Sequence, residues 1–120
     1  MPARIVVVHD DPEFLQSVCN ALQFDGHDSV AGLSDSLMAL SALEVAESVD
    51  LLITGMHFPQ GKPNGISLAL IARRMRPNVK ILFAAPPEDQ KHADGLGEFL
   101  PAPVSIPYLI AIVRGLLARG

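Results

Sequence analysis

The chain alternates short apolar runs with longer segments in which apolar residues recur at helical spacing. The runs at 5–8, 51–54 and 79–83 are nearly uninterrupted and rich in Val, Ile and Leu, which is typical of parallel strands covered on both faces. Shorter runs at 29–31 and 98–100 predict two more strands, of which the first lies nearer an edge. The pattern therefore predicts five strands.

Five segments between and after these runs carry apolar residues three and four positions apart, which predicts helices. Pro12 suits the first turn of the first helix, and Ser34 or Asp35 can cap the second. The third ends before Pro77. The fourth, within 86–95, is polar and should be short. Ser105 can cap the last helix, from about 106 to 118. The residues expected on the inner face of the second helix are Leu37, Leu40, Leu43 and Ala46.

Strands and helices that alternate in this way predict an α/β fold, with a doubly wound five-stranded parallel sheet and helices on both faces. The 120 residues contain no internal repeat or low-complexity tract. A chain of this length suits one core, so we expect a single domain spanning residues 1–120.

Composition narrows the range of partners and compartments. The net charge of −4 and the pI near 5.4 disfavour nucleic acid as a partner of this domain, because its binding rests on clustered Lys and Arg. No apolar run approaches the ~20 residues that span a membrane, and the first strand begins too early for a signal peptide. We therefore expect a cytoplasmic protein. The single cysteine, Cys19, lies among apolar residues and should be buried and inert.

Three segments of the chain carry a resemblance to a known family. They are VVVHDDPEFL at 6–15, DLLITGMHFP at 50–59 with Asn64-Gly65 after it, and FLPAP at 99–103. In this order and at these separations they resemble the receiver domain of bacterial two-component response regulators, over essentially the whole chain. The resemblance implies a CheY-like, flavodoxin-like sheet with strand order 2-1-3-4-5 and a role in phosphorelay signal transduction.

The resemblance also implies where phosphoryl-transfer chemistry would lie. In that family two acids after the first strand help to hold Mg²⁺, and an aspartate after the third strand is phosphorylated. A Ser or Thr after the fourth strand and a Lys after the fifth contact the phosphoryl group, whose charge the cations offset. The matching positions here are His9 and Asp10, then Gly55, Ala84 and Ala102.

Only Asp10 keeps the chemistry of its family position, with Asp11 as an adjacent carboxylate. Gly55, Ala84 and Ala102 each remove a different role. The sequence therefore indicates a degenerate receiver, or pseudo-receiver, that is not an enzyme, has no cofactor, binds Mg²⁺ weakly or not at all, and acts by protein–protein interaction without phosphorylation.

Two further positions match the family pattern. Pro103 matches the proline whose preceding peptide bond is cis, and a cis Ala102-Pro103 bond is accessible because the trans preference before proline is only ~0.5–1 kcal/mol. Phe99 matches the aromatic residue that changes rotamer on activation. Its hydroxyl partner is absent at Ala84, so Phe99 can equally be a core residue.

A different function is suggested by His9, Asp10, Asp11 and His57, which we expect to converge at the mouths of neighbouring strands. Two imidazoles and two carboxylates are ligands for a transition metal such as Zn²⁺, so a metal- or small-ligand-sensing domain is the alternative. The simpler interpretation makes both histidines partly solvated loop residues. The loop at 60–64, longer than the family pattern, is either a surface insertion or a lid or partner-contact loop over this site.

The last helix offers a candidate interface. Ile110 and Leu117 lie together on the flank of its inward stripe, beside Ala111 and Arg114. An apolar flank next to small residues suits packing against a protein partner, an output domain or a second copy in a homodimer. In the receiver-domain family that the chain resembles, the usual dimer or output surface is formed by the fourth helix, fifth strand and fifth helix. The alternative is an ordinary wide apolar stripe.

Overall fold

A computed structural model describes residues 4–119 and contains one parallel sheet. Its strand order is β2-β1-β3-β4-β5, which confirms the predicted topology. The strands are β1 (Arg4–Val8), β2 (Ser29–Leu33), β3 (Leu51–Thr54), β4 (Lys80–Ala85) and β5 (Glu98–Pro101).

Five helices connect and flank the strands. They are α1 (Pro12–Phe24), α2 (Ser36–Val45), α3 (Gly65–Met75), α4 (Gln90–Ala93) and α5 (Ile106–Ala118). A single 3₁₀ turn, Pro87–Asp89, precedes α4, which is only four residues long, as its polar composition predicted. Within residues 4–119, no helix has both the length and the apolar character needed to cross a membrane.

The sheet separates two hydrophobic cores. Alternate strand residues, such as Val6 and Val8, face the core that α2, α3 and α4 cover. Their neighbours, such as Ile5 and Val7, face the core that α1 and α5 cover. Both faces of the sheet are therefore buried, which explains why the central strands are apolar at nearly every position.

Side-chain caps fix where the helices begin. The Asp11 carboxylate accepts hydrogen bonds from the backbone N–H groups of Glu13 and Phe14 at 3.0 and 3.3 Å, which starts α1 at Pro12. Asp35, rather than Ser34, caps α2. Because Asp11 satisfies the first turn of a helix, it is a structural residue as well as a neighbour of the site.

The predicted inner face of α2 is wrong at Leu37, whose side chain is 47% exposed. The residues of α2 that are buried are Ser36, Ala39 and Leu43. This helix is apolar on almost every side, so the spacing of its apolar residues does not single out one face.

Candidate functional site

The carboxyl ends of β1, β3, β4 and β5 surround a cavity of about 510 Å³. Such an edge is the usual ligand position of a doubly wound sheet. The cavity floor is largely apolar, with Phe14, Met56 and Val104 among its lining residues. The lining residues predicted from the sequence are His9, Asp10, Asp11, His57, Ala84, Ala102 and Pro103.

The imidazole of His9 lies beside Gly55 on the neighbouring strand end. A Cβ atom at position 55 would stand 3.0 Å from Cδ2 of His9 and 3.2 Å from Nε2. The Gly55 N–H donates to the carbonyl of Val8 at 2.9 Å, which fixes the glycine backbone against β1. A side chain at position 55 would therefore stand in tight contact with the histidine ring, which would have to shift by a few tenths of an ångström.

Three contacts hold the His9 ring in place. The Asp11 backbone N–H donates to Nδ1 at 3.1 Å, and Nε2 lies 3.2 Å from the carbonyl oxygen of Ala84. Because Nδ1 accepts, the ring proton is on Nε2, which donates to Ala84. The ring also packs against Phe14, with centroids 4.6 Å apart. His9 thus bridges β1 to β4 across the position of Gly55.

His57 does not join this arrangement. Its Nε2 lies 2.8 Å from Oδ2 of Asp89, a carboxylate that is 6% exposed and precedes α4. His9, Asp10, Asp11 and His57 all line the cavity, as expected, but they do not gather into a group that could hold a metal ion. Within residues 4–119, no three His, Cys, Asp or Glu side chains group closely enough to hold a metal ion. Each imidazole has a nearer partner, and the Asp11 carboxylate caps α1.

The donor set at the cavity does not fit Mg²⁺, which demands near-octahedral oxygen coordination. Position 9 supplies an imidazole and position 55 supplies no side chain. The carbonyl oxygen of Gly55 already accepts the Thr54 hydroxyl at 2.8 Å. The Asp10 carboxylate makes no hydrogen bond within residues 4–119, and its Oδ1 lies 3.4 Å from Nδ1 of His9.

Two family-matched positions at the sheet edge have clear placements. The Ala102-Pro103 peptide bond is cis, as the sequence predicted, and the Ala102 N–H donates to the carbonyl of Ala85 at 2.8 Å. Phe99 is half-buried, pairs in register with Phe83 and packs against the α2–α3–α4 core. Its role as a switch stays a prediction.

Comparisons with known proteins agree with the topology of the sheet. A response regulator receiver domain protein from Clostridium thermocellum is 25% identical, with a TM-score of 0.85 over 98% of this chain and 95% of that one. A CheY-like receiver domain from Methanospirillum hungatei is 22% identical, with a TM-score of 0.87 over 99% and 96%. The chain has the fold of a response regulator receiver domain.

The same receiver fold occurs in a solved structure described as an adenylate cyclase from Rhodopirellula baltica. It is 21% identical, with a TM-score of 0.84 over 98% of this chain and 89% of that one. No protein-family model and no curated protein matches the chain. The similarity is therefore one of architecture.

The last helix of this receiver fold contributes to a groove of about 690 Å³ between α1 and α5. Of the predicted interface residues, Ile110, Ala111 and Arg114 line the groove. Leu117 is absent from its lining, and both Leu117 and Ile110 are half-buried against the α1–α5 core. An interface role for Leu117 stays a prediction, and Ala111 is exposed.

Two residues at the end of α1 complete the groove and were missed in the sequence. The side chain of Phe24 is 95% exposed. The Asp25 carboxylate accepts two hydrogen bonds from the guanidinium of Arg114, one from Nε at 3.0 Å and one from Nη2. The Arg114 hydrogen bond holds the pKa of Asp25 below its usual range. The sequence could have indicated this, because Phe24 lies outside the apolar stripe of α1, which is formed by Phe14, Leu15, Val18, Cys19 and Leu22.

The long loop after β3 is not a lid over the cavity. Lys62 in this loop lies 2.6 Å from Oδ2 of Asp35, the cap of α2, and lowers the pKa of that carboxyl. Within the described chain, the cavity lining includes none of residues 60–64. The loop is attached to the α2 side of the receiver fold.

Cys19 is half-buried against the α1–α5 core, rather than fully buried as predicted, and its inertness stays a prediction. Its Sγ packs over Gly32, where an added Cβ would stand 2.6 Å from the sulfur. Burial raises the pKa of the thiol, so the thiolate that a nucleophile requires is disfavoured.

Proposed function

We propose that this chain is a receiver-like domain of two-component signal transduction that works without phosphorylation, by contacting other proteins. One observation carries the proposal: the His9 imidazole fills the space beside Gly55, the position that matches the phospho-acceptor. A domain awaiting a phosphoryl group there would need both an acceptor and an open volume beside it.

The residues at two other family-matched positions support the same proposal. Ala84 replaces the hydroxyl that would contact a phosphoryl group, and its carbonyl accepts from His9. Ala102 replaces the cation that would offset the transferred charge. Since the remaining donors do not fit Mg²⁺, we infer that the domain uses no metal cofactor for phosphoryl transfer.

The proposal does not include enzymatic activity. Among the described residues that line the cavity, none is a Ser, Thr or Cys that could act as a nucleophile. The nearby Thr54 hydroxyl is buried and donates to Gly55. We propose a signalling role rather than a catalytic one, and we expect the domain to act in the cytoplasm.

For the protein contact we propose the α1–α5 groove, whose exposed residues include Phe24 and Ala111. An aromatic side chain beside an apolar groove is the composition of the buried centre of protein interfaces. The partner is an output domain or a separate protein. The negative net charge argues against nucleic acid.

Incubation with acetyl phosphate and Mg²⁺, followed by intact-mass measurement, tests the proposal. The wild type should gain no phosphoryl group. The matched control is the fourfold variant His9→Asp, Gly55→Asp, Ala84→Ser, Ala102→Lys, which restores the family chemistry and should gain one if it folds. A stoichiometric adduct on the wild type would refute phosphorylation-independence.

The cavity itself supports a second candidate function, the sensing of a small ligand. Its volume of about 510 Å³ lies within the range of small-molecule sites, and its apolar floor has polar groups at His9, Asp10 and His57. Screening fragments by ¹H–¹⁵N NMR tests this function. A true ligand should shift the amides of Ala85 and Ala102 together, whereas a screen with no such response counts against it.

A further inference from the structure

Helices α2 and α3 expose an apolar surface that the fold does not use. Seven large hydrophobic side chains are exposed within residues 4–119, and five of them lie on these two helices. We call this surface the α2–α3 patch; it consists of Leu37, Met38, Val45, Leu70 and Ile71. Such concentration on two adjacent helices differs from scattered exposed residues, which are normal, and is typical of an interaction surface.

The outer side of α2 is apolar without serving the core. Core contacts are made by Ser36, Ala39 and Leu43 on its inner side. Met38 and Val45, on the other side, are 57% and 83% exposed. A helix that is apolar all round is normally buried on every side, so α2 has the composition of a helix that is covered by another molecule.

The charges on the two helices are complementary. The only charged residue of α2 is Glu44, and the charged residues of α3 are Arg73 and Arg74. Arg73 donates to the carbonyl of Leu96 at 3.0 Å. Glu44 and Arg74 are both exposed and make no ion pair with any residue in the range 4–119.

The topology aligns these two charges. Both helices follow parallel strands on the same face of the sheet and pack side by side, so they run in the same direction. Glu44 and Arg74 each lie in the last turn of their helix. A two-fold axis parallel to the helices would set α2 of one copy on α3 of the other. Glu44 would then face Arg74 at two symmetry-related places.

We propose that a second copy of this chain docks on the α2–α3 patch, forming a two-fold dimer in which α2 packs on α3 of the partner. The proposal deepens the proposed function and rests on it in one respect: association requires no phosphorylation. It also leaves the α1–α5 groove free for a different protein.

The size of the patch sets the expected strength. Helices of 10 and 11 residues are about 15 and 16 Å long, so their joint outer face is smaller than the ~800 Å² per partner of a standard interface. The dimer should therefore be weak and reversible, and its population should rise with protein concentration.

Charge reversal tests the geometry directly by sedimentation velocity across a concentration series at low salt. Glu44→Arg alone and Arg74→Glu alone should each raise the dimer dissociation constant at least about tenfold, because each creates two like-charge pairs. An equimolar mixture of the two variants should associate as the wild type does, since every pair in the mixed dimer is again opposite. The double variant Glu44→Arg, Arg74→Glu should also associate.

Two controls keep the test decisive. Urea unfolding verifies that each variant is folded, which is expected because the Glu44 and Arg74 side chains are exposed. Met38→Glu, which places a charge in the apolar patch and leaves Glu44 and Arg74 unchanged, should also weaken association. A wild type that stays monomeric up to millimolar concentration would overturn the proposal. So would single variants that dimerise normally, a mixture that fails to recover, or a dimer lost in Ala111→Glu alone, which would place the contact on α5. A phosphoryl adduct would refute the proposed function without affecting these measurements.

Discussion

His9 and Gly55 face each other across β1 and β3, and the imidazole Nε2 lies 3.2 Å from the point where a Cβ at position 55 would stand. This contact is tight, so a side chain at position 55 would require the His9 ring to shift by a few tenths of an ångström. The ring in turn bonds the backbone on either side, through Asp11 and Ala84. A carboxylate introduced at position 55 would therefore have to displace the His9 ring slightly.

Gly55→Asp should lower the free energy of unfolding by about 1–3 kcal/mol, because the new side chain overpacks the His9 ring. In a His9→Ala background the same change should cost clearly less. Urea unfolding of the four proteins gives the coupling between the two positions. Equal costs in both backgrounds would mean that the ring moves aside freely.

Gly115 provides a matched comparison on α5. A Cβ there meets no atom within 4 Å, so Gly115→Ala should raise the free energy of unfolding by about 0.5–1 kcal/mol through helix propensity alone. A loss of stability in this variant would show that glycine substitutions in this chain carry costs unrelated to close contacts.

Ser36 and Ser105 should respond in opposite ways to replacement by alanine. The Ser36 hydroxyl is fully buried with no hydrogen-bond partner in the described chain, so Ser36→Ala should raise stability by about 1 kcal/mol. Ser105 caps α5 by accepting the Tyr108 N–H, so Ser105→Ala should lower stability by about 1 kcal/mol. Thermal and urea unfolding report both signs, and a destabilising Ser36→Ala would reveal an unrecognised partner.

Arg76 should contribute to stability mainly through its hydrogen bonds, and not only through its charge. Its guanidinium donates to the carbonyls of Leu43, Ala46 and Glu47, which are the free acceptors at the end of α2. Arg76→Met should cost about 2–3 kcal/mol, and Arg76→Lys should recover only part of it because one ammonium cannot reach all three acceptors. Arg74→Lys, on the exposed side of α3, should change stability by less than about 0.5 kcal/mol. Similar values for the two lysine variants would contradict this anchoring role.

The Asp25–Arg114 pair should make stability depend on acidity. Arg114 lowers the pKa of Asp25 from its ordinary value of 3.8, with a smaller contribution from His27. The stabilisation is therefore present above that value and is lost as the pH falls through the lower pKa of the folded state.

Urea unfolding of wild type and Asp25→Asn should thus differ by a constant amount above about pH 5 and converge as the pH falls through the lowered pKa of Asp25. In an Arg114→Gln background the difference should lose most of its dependence on pH. A difference that persists unchanged at pH 2 would assign the effect of Asp25 to its position at the end of α1 rather than to its charge.

The order of the elements could be predicted because it depends on local patterns: apolar runs, prolines and capping residues such as Asp35. The inner face of α2 could not, since a helix that is apolar all round gives no preferred side, and the structure buries Ser36 while exposing Leu37. The sequence also placed His9 and His57 at one site. Their final partners, the Ala84 carbonyl and the Asp89 carboxylate, lie 75 and 32 residues away, beyond any local pattern.

The alternation along β1 has a consequence for how this protein can change. Val6 and Val7 are adjacent in the chain, yet they belong to cores on opposite sides of the sheet. Side chains in one core contact those in the other only through the strand backbone. The changes in the free energy of unfolding caused by substitutions in the two cores should therefore add. The side that carries α1 and α5 and the side that carries α2 and α3 can therefore be remodelled independently, each for its own partner, while the other is preserved.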